Sequence, residues 1–591
     1  MRRLLVGGVA LALVVVACTA PSDDTAPPAT LSTTSSTAAP TSTTSSSTTT
    51  TTQAPSGPGY GGEVIIADDQ SPPTLNPYAS GGDNFIVSII GQAWMTGVWD
   101  IDGYTLERTP EVVTELPTVA NGGIVVNANR TMTITYQIRE EAQWSDGVPI
   151  TADDFAFTIE TVLATEAAAN GGPYTNAEIR TYEGEGNTFS VTLRRPTMKH
   201  EPLLRWLIPK HAVEGTDFAE DWNTSTWPSG GPFIVDTFEE RTSVTLVRND
   251  AYWKTDADTG FQLPYLDSVR FDFIPETENI LDAFTNREVD VIQPPPNIDW
   301  LQRLDSHSDD GAVVEALPGP VWEHVNFQFD KARLELSPNS CNDNLAFRRA
   351  IMHAIDRDAV ANDWASGYGT AMQSYLEAFT PSVSTDAWGR YPYDPDTARA
   401  LYQIAVEETG RECVAVFNTT GNADARPRAA LLYEEMLTAA GIPIEVVLYD
   451  SSVFFGEMLD DGTWDIGQWA WVGSPGLSGT IGIHELFDPN GKPPRGSNYY
   501  RWGTSGSSVR DDHTKRFAEI VKEMNATVDE VEILTLVHEA EEILADQAVI
   551  LPIVQRLTAA AVWGDEIGGF KHNPTSSSHT WNIEYWYRTD R

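Results

Sequence analysis

The clearest candidate for chemistry in this chain is a pair of tryptophans followed by small residues. Trp469 and Trp471 stand two positions apart at the end of a predicted strand, and Gly473 and Ser474 come directly after them. Tryptophan rings line clefts that bind polar, flexible ligands, although many are simply core residues. We predict that Trp471, Gly473 and Ser474 contact a ligand. The alternative, that both rings belong to the core, stays open at this stage.

Signatures of catalysis and of metal binding are absent from the sequence or incomplete. His538 and Glu542 lie four residues apart, but their context HEAEEILA indicates an acidic helix and not a His-Glu-x-x-His zinc motif. Residues 256–260 carry the aspartates of a calcium loop without its bidentate glutamate. We find neither a Gly-x-Ser-x-Gly elbow nor a phosphate loop. The sequence thus predicts no catalysis, cofactor or metal, although a hydrolase with two unplaced carboxylates remains the alternative.

The charge balance of the chain argues against a nucleic-acid partner. The sequence has 84 Asp and Glu against 38 Lys and Arg, so no basic stripe is available to neutralise phosphates. Such acidity indicates a protein kept soluble outside the cell, or else a cleft that selects cationic ligands.

The N-terminus has the pattern of a secretory signal. Met1–Arg3 is basic, Leu4–Val16 is apolar but short for a bilayer span, and small residues precede Cys18. This ending resembles a bacterial lipobox, which implies cleavage before Cys18 and lipidation of its thiol; an ordinary signal peptide is the alternative. Residues 19–62 are rich in Thr, Ser and Pro and cannot bury enough apolar surface to fold, so we expect a disordered tether.

Two cysteines remain after Cys18. Cys341 and Cys413 form an even pair in an exported chain, which is compatible with a disulfide. Since sequence separation does not show proximity, two free buried thiols remain the alternative.

A strand, a turn and a capped helix can be read in residues 133–163. Residues 133–139 alternate between polar and apolar, and Ser145–Gly147 supplies a turn. Thr151 stands three residues before Asp154 in a capping-box pattern, and apolar residues follow at helical spacing up to Leu163. From residue 345 onward strands alternate with helices, which predicts a largely parallel, doubly wound sheet whose ligands lie beyond the carboxyl ends of its strands.

The run TYQIREEAQWSDGVPITADDFAFTIE resembles a signature of the family 5 extracellular solute-binding proteins, the oligopeptide- and dipeptide-binding components of ABC importers. Further segments resemble the same family in the same order, with small departures within them: Pro209–Val213, Trp227–Phe233, Val247–Trp253 and Leu281–Val291. The loop around Asn76 is similar to the family's loop after its first strand.

The resemblance implies an α/β, two-lobed periplasmic-binding-protein-like fold of type II, the large peptide-binding class. An extra subdomain in the first lobe and two interlobe crossings, which form a hinge, belong to this fold. The implied boundaries are a signal peptide at 1–17, a lipidated cysteine and tether at 18–62, a first lobe at 63–320 plus 550–591 with a subdomain at about 95–220, and a second lobe at 321–549.

The resemblance also implies a role. It predicts a monomer, lipid-anchored on the extracytoplasmic face of the cell membrane, that captures a peptide or similar polar solute for ABC permease subunits; a peptide sensor without transport is the other alternative. Trp322 and Glu323 beside the first crossing, and Asn76, join Trp471 in the expected site. In peptide-binding members an aspartate pairs with the ligand's amino group, whereas here Gly473, Ser474 and Pro475 occupy that region. We expect residues 133–163 to identify the family without contacting the solute.

Overall fold

A mixed sheet of ten strands, to which both ends of the chain contribute, is the central feature of the structure. The computed structural model describes residues 58–590 except 167, 219, 294–297, 366–368 and 422–424. The predicted signal peptide, the lipid site Cys18 and the tether up to residue 57 therefore lie outside the described residues. From Pro58 onward the chain forms one compact unit.

The described residues contain eighteen strands. They are β1 (Glu63–Asp68), β2 (Trp99–Ile101), β3 (Arg108–Pro110), β4 (Ile124–Val126), β5 (Met132–Gln137), β6 (Ile179–Glu185), β7 (Thr188–Leu193), β8 (Phe233–Glu239), β9 (Ser243–Arg248), β10 (Ser268–Phe273), β11 (Val291–Ile292), β12 (Ala312–Phe327), β13 (Ala415–Thr420), β14 (Ile444–Tyr449), β15 (Ile466–Val472), β16 (Ile550–Trp563), β17 (Ile567–Gly568) and β18 (Tyr587–Arg588).

The same part of the chain contains sixteen α-helical segments. They are α1 (Phe85–Trp94), α2 (Ala152–Ala164), α3 (Gly172–Asn176), α4 (Lys210–Val213), α5 (Thr277–Thr285), α6 (Ile298–Asp305), α7 (Lys331–Leu336), α8 (Leu345–Ala354), α9 (Arg357–Trp364), α10 (Pro395–Thr409), α11 (Ala425–Ala439), α12 (Ser451–Val453), α13 (Leu459–Asp461), α14 (Leu477–Glu485), α15 (Asp512–Met524) and α16 (Glu530–Asp546). A π-helical turn, Phe454–Met458, joins α12 to α13.

Two long strands connect the two ends of the central sheet. The strand order is β14-β13-β15-β12-β16-β11-β1-β10-β9-β8, so β12 and β16 lie side by side in the middle. We call residues 58–311 together with 564–590 the first lobe, and residues 328–549 the second lobe. The predicted crossings near 320–329 and 549–553 are thus found, but each belongs to a longer strand, of 16 and 14 residues respectively.

The pairing of β12 with β16 is interrupted halfway. Pro318 pairs with Leu557 and Trp322 pairs with Gln555, which leaves residues 319–321 opposite Arg556 alone. Strand β16 is buried at both ends and partly exposed at residues 555–558, whereas β12 is buried from Trp322 onward and mostly partly exposed before it. Since an irregularity of this kind disrupts the ladder and bends the strand, it marks the bending point between the lobes.

The second lobe has the predicted alternation of strands and helices. Strand β13 pairs in parallel with β14 and with β15, and α11 lies between β13 and β14 in sequence. The addition of the antiparallel strand β12 next to β15 makes the sheet mixed, where the sequence predicted a largely parallel one.

A separate sheet of four strands, in the order β4-β5-β7-β6, forms the core of a subdomain of the first lobe, residues 95–220. Helix α2 begins as predicted, because the Asp154 carboxylate accepts a hydrogen bond of 2.9 Å from the backbone N–H of Thr151. Phe155 and Ile159 are fully buried against this sheet. Leu163, which the spacing placed on the same apolar face, is instead 45% exposed because it lies at the edge of that stripe, in the last turn of the helix.

A disulfide joins Cys341 and Cys413 in the second lobe. It links the segment before α8 to the segment before β13, across a sequence separation of 72 residues that includes α8, α9 and α10. Both sulfur-bearing residues are fully buried. The bond therefore holds three helices close to the edge of the sheet.

Replacement of both Cys341 and Cys413 by serine should lower the free energy of unfolding by about 4 kcal/mol, because the unfolded chain regains the entropy of a loop of this length. Urea unfolding of the oxidised protein and the double variant measures the difference. A reductant should shift the midpoint of the wild-type protein in the same direction and leave the variant unchanged. Equal midpoints for the oxidised protein and the variant would contradict a stabilising role.

Candidate functional site

A cavity of about 350 Å³ lies between the subdomain and the second lobe. Its first-lobe wall comes from β2, β3 and the loop between them, from residues 116–124, from Tyr136 on β5 and from residues 198–203. Its second-lobe wall comes from residues 379–383, from Gly476 and Leu477, and from residues 528–534 at the start of α16. The cavity is thus assembled from short segments of both lobes.

Gly473 sets the position of one aromatic wall residue. Its backbone N–H donates a hydrogen bond of 2.8 Å to the carbonyl oxygen of Pro320, next to the break in β12. A Cβ atom at this position would lie 2.0 Å from Cδ1 of Phe379, so only glycine allows the Phe379 ring to occupy its place in the wall. The predicted loop is therefore coupled both to the hinge and to the cavity.

One ion pair lines the cavity and also joins the two lobes. Nη1 of Arg108 lies 2.8 Å from Oε2 of Glu201, and the same oxygen accepts a hydrogen bond of 2.8 Å from the backbone N–H of Ser478 in the second lobe. The Arg108 guanidinium also lies over the Trp99 ring, 4.7 Å from its centroid. The two charges of the pair compensate each other at the cavity wall.

Two further polar contacts join the lobes beside this ion pair. Nζ of Lys199 lies 2.8 Å from Oε1 of Glu485, and Nη1 of Arg195 donates a hydrogen bond of 3.2 Å to the carbonyl oxygen of Asn525. All the first-lobe groups except Arg108 come from residues 195–201. We call this segment, with its partners in the second lobe, the interlobe latch.

His200 lies in the cavity wall as a neutral ring. It is buried, and burial lowers the pKa of its imidazole, with a smaller opposing effect from the charge of Glu201. Its Nδ1 lies 2.8 Å from the carbonyl oxygen of Thr197, so Nδ1 carries the proton and donates it. His200 therefore adds no positive charge to the cavity at neutral pH.

A second group of charges lies beside the hinge, around Glu323. The Glu323 carboxylate is fully buried and accepts hydrogen bonds from Arg426 at 3.0 and 3.2 Å and from Nε of Arg556 at 3.1 Å. Burial alone would raise the pKa of Glu323, but the two guanidiniums outweigh it and lower its pKa to about 2. Whereas Arg426 is almost buried, the Arg556 side chain remains 38% exposed.

None of the residues predicted near the end of β15 is among the side chains that line the cavity, and Gly473 touches its wall through Phe379. Trp469 is buried in the core and stacks on Tyr500. Trp471 is half-buried; its ring packs on Tyr499 and its Nε1 donates a hydrogen bond of 2.7 Å to the Tyr500 hydroxyl. Ser474 is exposed, whereas Gly473 is covered by Phe379. The prediction that Trp471, Gly473 and Ser474 contact a solute remains a prediction, and their surroundings are compatible with it.

Three other predicted residues point away from open space. The Trp322 ring is fully buried and stacks on Tyr375 with centroids 5.4 Å apart. Asn76 is buried, and its Oδ1 accepts a hydrogen bond of 2.9 Å from the backbone N–H of Tyr78, so its amide organises a turn. Glu323 is enclosed by its arginine partners. None of these three side chains lines the cavity, and the prediction that they bind solute stays a prediction.

Sequence reasoning missed most of the wall. Residues 133–163 were expected to identify the family without contacting the solute, and only Tyr136 of that stretch lines the cavity, whereas residues 98–124 and 198–203 supply more than half of the lining. These residues lie in loops and short strands without a regular pattern.

Among the described residues, no group of three or more His, Cys, Asp or Glu side chains is arranged to hold a metal ion. In the same part of the chain, no helix has the length and apolar character needed to cross a membrane.

Glu323→Gln should lower the free energy of unfolding at pH 7 by about 3 to 5 kcal/mol, because it leaves Arg426 buried without its counter-charge. Above the ordinary Glu pKa of 4.5 the wild-type protein has this stabilisation in full, and it loses the stabilisation as pH falls toward the folded-state pKa of about 2. The difference between variant and wild type should therefore shrink on acidification. Urea unfolding between pH 7 and pH 2.5 measures it.

Glu519→Gln is the control for this experiment, since Glu519 is a 65% exposed carboxylate that faces Arg516 at 3.7 Å. Its effect should stay within about 0.5 kcal/mol at every pH. A similar, small effect of both substitutions would show that the Glu323 cluster does not stabilise the fold.

Sequence and structure comparisons agree on one family. The family model of the bacterial extracellular solute-binding proteins, family 5 middle region, matches residues 124–490, which is more than half of the chain. The oligopeptide-binding protein OppA of Mycobacterium tuberculosis is 23% identical over 525 residues, covering 85% of this chain and 81% of the relative. The OppA protein of Bacillus subtilis is 24% identical over 454 residues, covering 71% and 76%.

Solved structures show the same two-lobed fold and confirm the predicted fold class. The ABC transporter substrate-binding protein CtaP of Listeria monocytogenes matches with a TM-score of 0.69 at 21% identity, over 90% of this chain and 100% of that chain. The periplasmic EDTA-binding protein EppA matches with a TM-score of 0.68 at 22% identity, over 90% and 97%. The chain therefore belongs to the bacterial extracellular solute-binding proteins of family 5, and is a solute-binding protein of the ABC importer type.

Proposed function

We propose that this protein is a lipid-anchored receptor that encloses a peptide, or a solute of similar size, between its lobes and delivers it to an ABC permease. The observation that carries the proposal is the cavity of about 350 Å³ between two lobes that β12 and β16 connect. This volume lies within the range of small-ligand sites. The names of the OppA relatives, which are oligopeptide-binding proteins, favour a peptide for this chain as well.

The mechanism we propose is bending at the break between Pro318 and Trp322. Opening there would separate the subdomain from the second lobe and give a solute access to the cavity walls. The break falls close to the lobe boundaries expected from the sequence, 63–320 plus 550–591 for the first lobe and 321–549 for the second. The receptor acts as a monomer and performs no reaction on the solute.

The function is tested by incubating the purified protein with a defined pool of two- to five-residue peptides. We expect saturable binding that raises the melting temperature, with the peptides recovered intact, because a ligand that binds only the folded state stabilises it. Mass spectrometry identifies the peptides that are retained after gel filtration. Cleavage products that accumulate with time would instead indicate a hydrolase, and transport that is unaffected by deletion of the gene would favour a sensor.

A matched pair of variants tests whether the cavity is the binding site. In Gly473→Ala the new methyl group displaces Phe379 from the wall, whereas in Gly482→Ala on α14 it meets open space. Gly473→Ala should lower the affinity for the retained peptides about tenfold, which is equivalent to about 1.4 kcal/mol. Gly482→Ala should leave the affinity unchanged. Equal affinities in both variants would place the binding site elsewhere.

The proposed lipid anchor has its own test. Cys18→Ala removes the thiol that the signal-like N-terminus presents for acylation, so the protein should move from the membrane fraction to the medium. Immunoblots of the two fractions measure the change, with Thr25→Ala, a substitution seven residues further along the tether, as the control. Retention of the Cys18 variant in the membrane would contradict lipidation.

A further inference from the structure

The wall of the cavity is built mainly of apolar side chains from both lobes. Leu106, Leu116 and Ile124 line it on the subdomain side, and Phe379, Leu477 and Leu534 line it on the second-lobe side. Contact with these side chains removes apolar surface of a solute from water, which contributes about 25 cal/mol per Å². Solutes with apolar groups therefore gain most from enclosure.

The charged groups of the wall are compensated or lie at the rim. Arg108 and Glu201 neutralise each other and are only 12% and 16% exposed, and His200 is neutral. Glu107 and Glu530, which also line the cavity, are exposed to solvent. A free amino or carboxyl terminus enclosed here would lose its hydration and would have to compete with the existing pair for a counter-charge, which is unfavourable.

The apolar surface continues outside the cavity. Val119 belongs to the wall and is 54% exposed, while Val125 and Val126 on β4 are each 49% exposed, directly after the wall residue Ile124. Strand β4 is the edge of the four-stranded sheet, so these side chains border open solvent. Val126 shares a face of β4 with the wall residue Ile124, whereas Val125 lies on the opposite face, so Val119 and Val126 are the exposed apolar residues that can extend the wall for a longer solute.

We propose that the part of the solute enclosed by this cavity is apolar and carries no charge. A hydrophobic peptide segment whose termini are blocked, or lie outside the cavity, has this chemistry, and so does an acyl chain with an uncharged head. The inference rests on the proposed function, because it names the class of solute that the same cavity selects.

Four probes test the proposal by calorimetry on the intact soluble protein: acetyl-trileucine amide, zwitterionic trileucine, acetyl-triserine amide and monooctanoylglycerol. Acetyl-trileucine amide should bind at least about tenfold more tightly than trileucine and than acetyl-triserine amide. Tighter binding of monooctanoylglycerol than of acetyl-trileucine amide would assign the acyl chain as the natural source, and the reverse order would assign the peptide. Trileucine or the serine peptide binding as tightly as acetyl-trileucine amide would overturn the proposal.

Two substitutions on α16 test whether the probes bind at the cavity wall. Leu534→Asp places a carboxylate in the cavity wall, whereas Thr535→Asp places it on the exposed face of the same helix. Leu534→Asp should weaken the tightest probe at least tenfold and Thr535→Asp less than twofold, with both variants equally folded by circular dichroism. Equal affinities in the two variants would contradict an apolar binding wall.

The outcomes separate this inference from the proposed function. Saturable binding of zwitterionic or serine peptides, lost in Gly473→Ala, would leave the receptor function intact and remove the apolar selectivity. Failure of all four probes and of the peptide pool to bind would overturn both proposals.

Discussion

The pairing of β12 with β16 is the interaction on which the rest of the structure depends. On one side β16 pairs with β11 and so with the sheet of the first lobe; on the other side β12 pairs with β15 and the sheet of the second lobe. Both lobes are therefore extensions of one two-stranded ribbon. The register of the ribbon shifts twice, between Pro318 and Trp322 and again between Glu323 and His324, so the regular ladder is interrupted from residue 318 to residue 324.

The charges around Glu323 determine which part of the ribbon stays rigid. Glu323 on β12 holds Arg426 at the start of α11 and Arg556 on β16, so a helix and both crossing strands are fixed to one carboxylate. Breaking a buried pair of this kind costs several kcal/mol, far more than a surface ion pair contributes. This cluster therefore spans the first register shift, since Arg556 is the residue opposite 319–321, and it ties the two strands together there.

Trp322 on β12 and Trp471 on the neighbouring strand β15 show how far the sequence could predict the structure. Alternation and capping patterns located β5 and α2 to within a few residues, because those signals are local. Trp322 and Trp471, by contrast, are paired in register on neighbouring strands, yet Trp322 is covered by Tyr375 and Trp471 remains half-exposed. Their burial depends on Tyr375 and Tyr499, which lie 53 positions after Trp322 and 28 positions after Trp471 in the numbering. No local pattern reports contacts over such distances.

The same limit applies to the cavity. Its wall combines segments near residues 100, 120, 200, 380, 476 and 530, each of them a loop or an element end. Local motifs indicated the family, and the family resemblance in turn implied the two crossings, because members of a family share one topology. Which side chains line the cavity depends on how the two lobes contact each other, and no single segment determines that contact.

The interlobe latch is weak enough for a solute to control closure. The Lys199–Glu485 pair is 27% and 38% exposed, and pairs with such exposure contribute about 1 kcal/mol or less. The contact of Arg195 with Asn525 is a single hydrogen bond, whose net contribution is of similar size. A solute that buries about 150 Å² of apolar surface in the cavity gains about 4 kcal/mol, which exceeds either contact. The third latch contact, from the backbone N–H of Ser478 to the Glu201 carboxylate, has a charged acceptor and contributes more than either, so a solute would favour the proposed closed form by an amount similar to that of the whole latch.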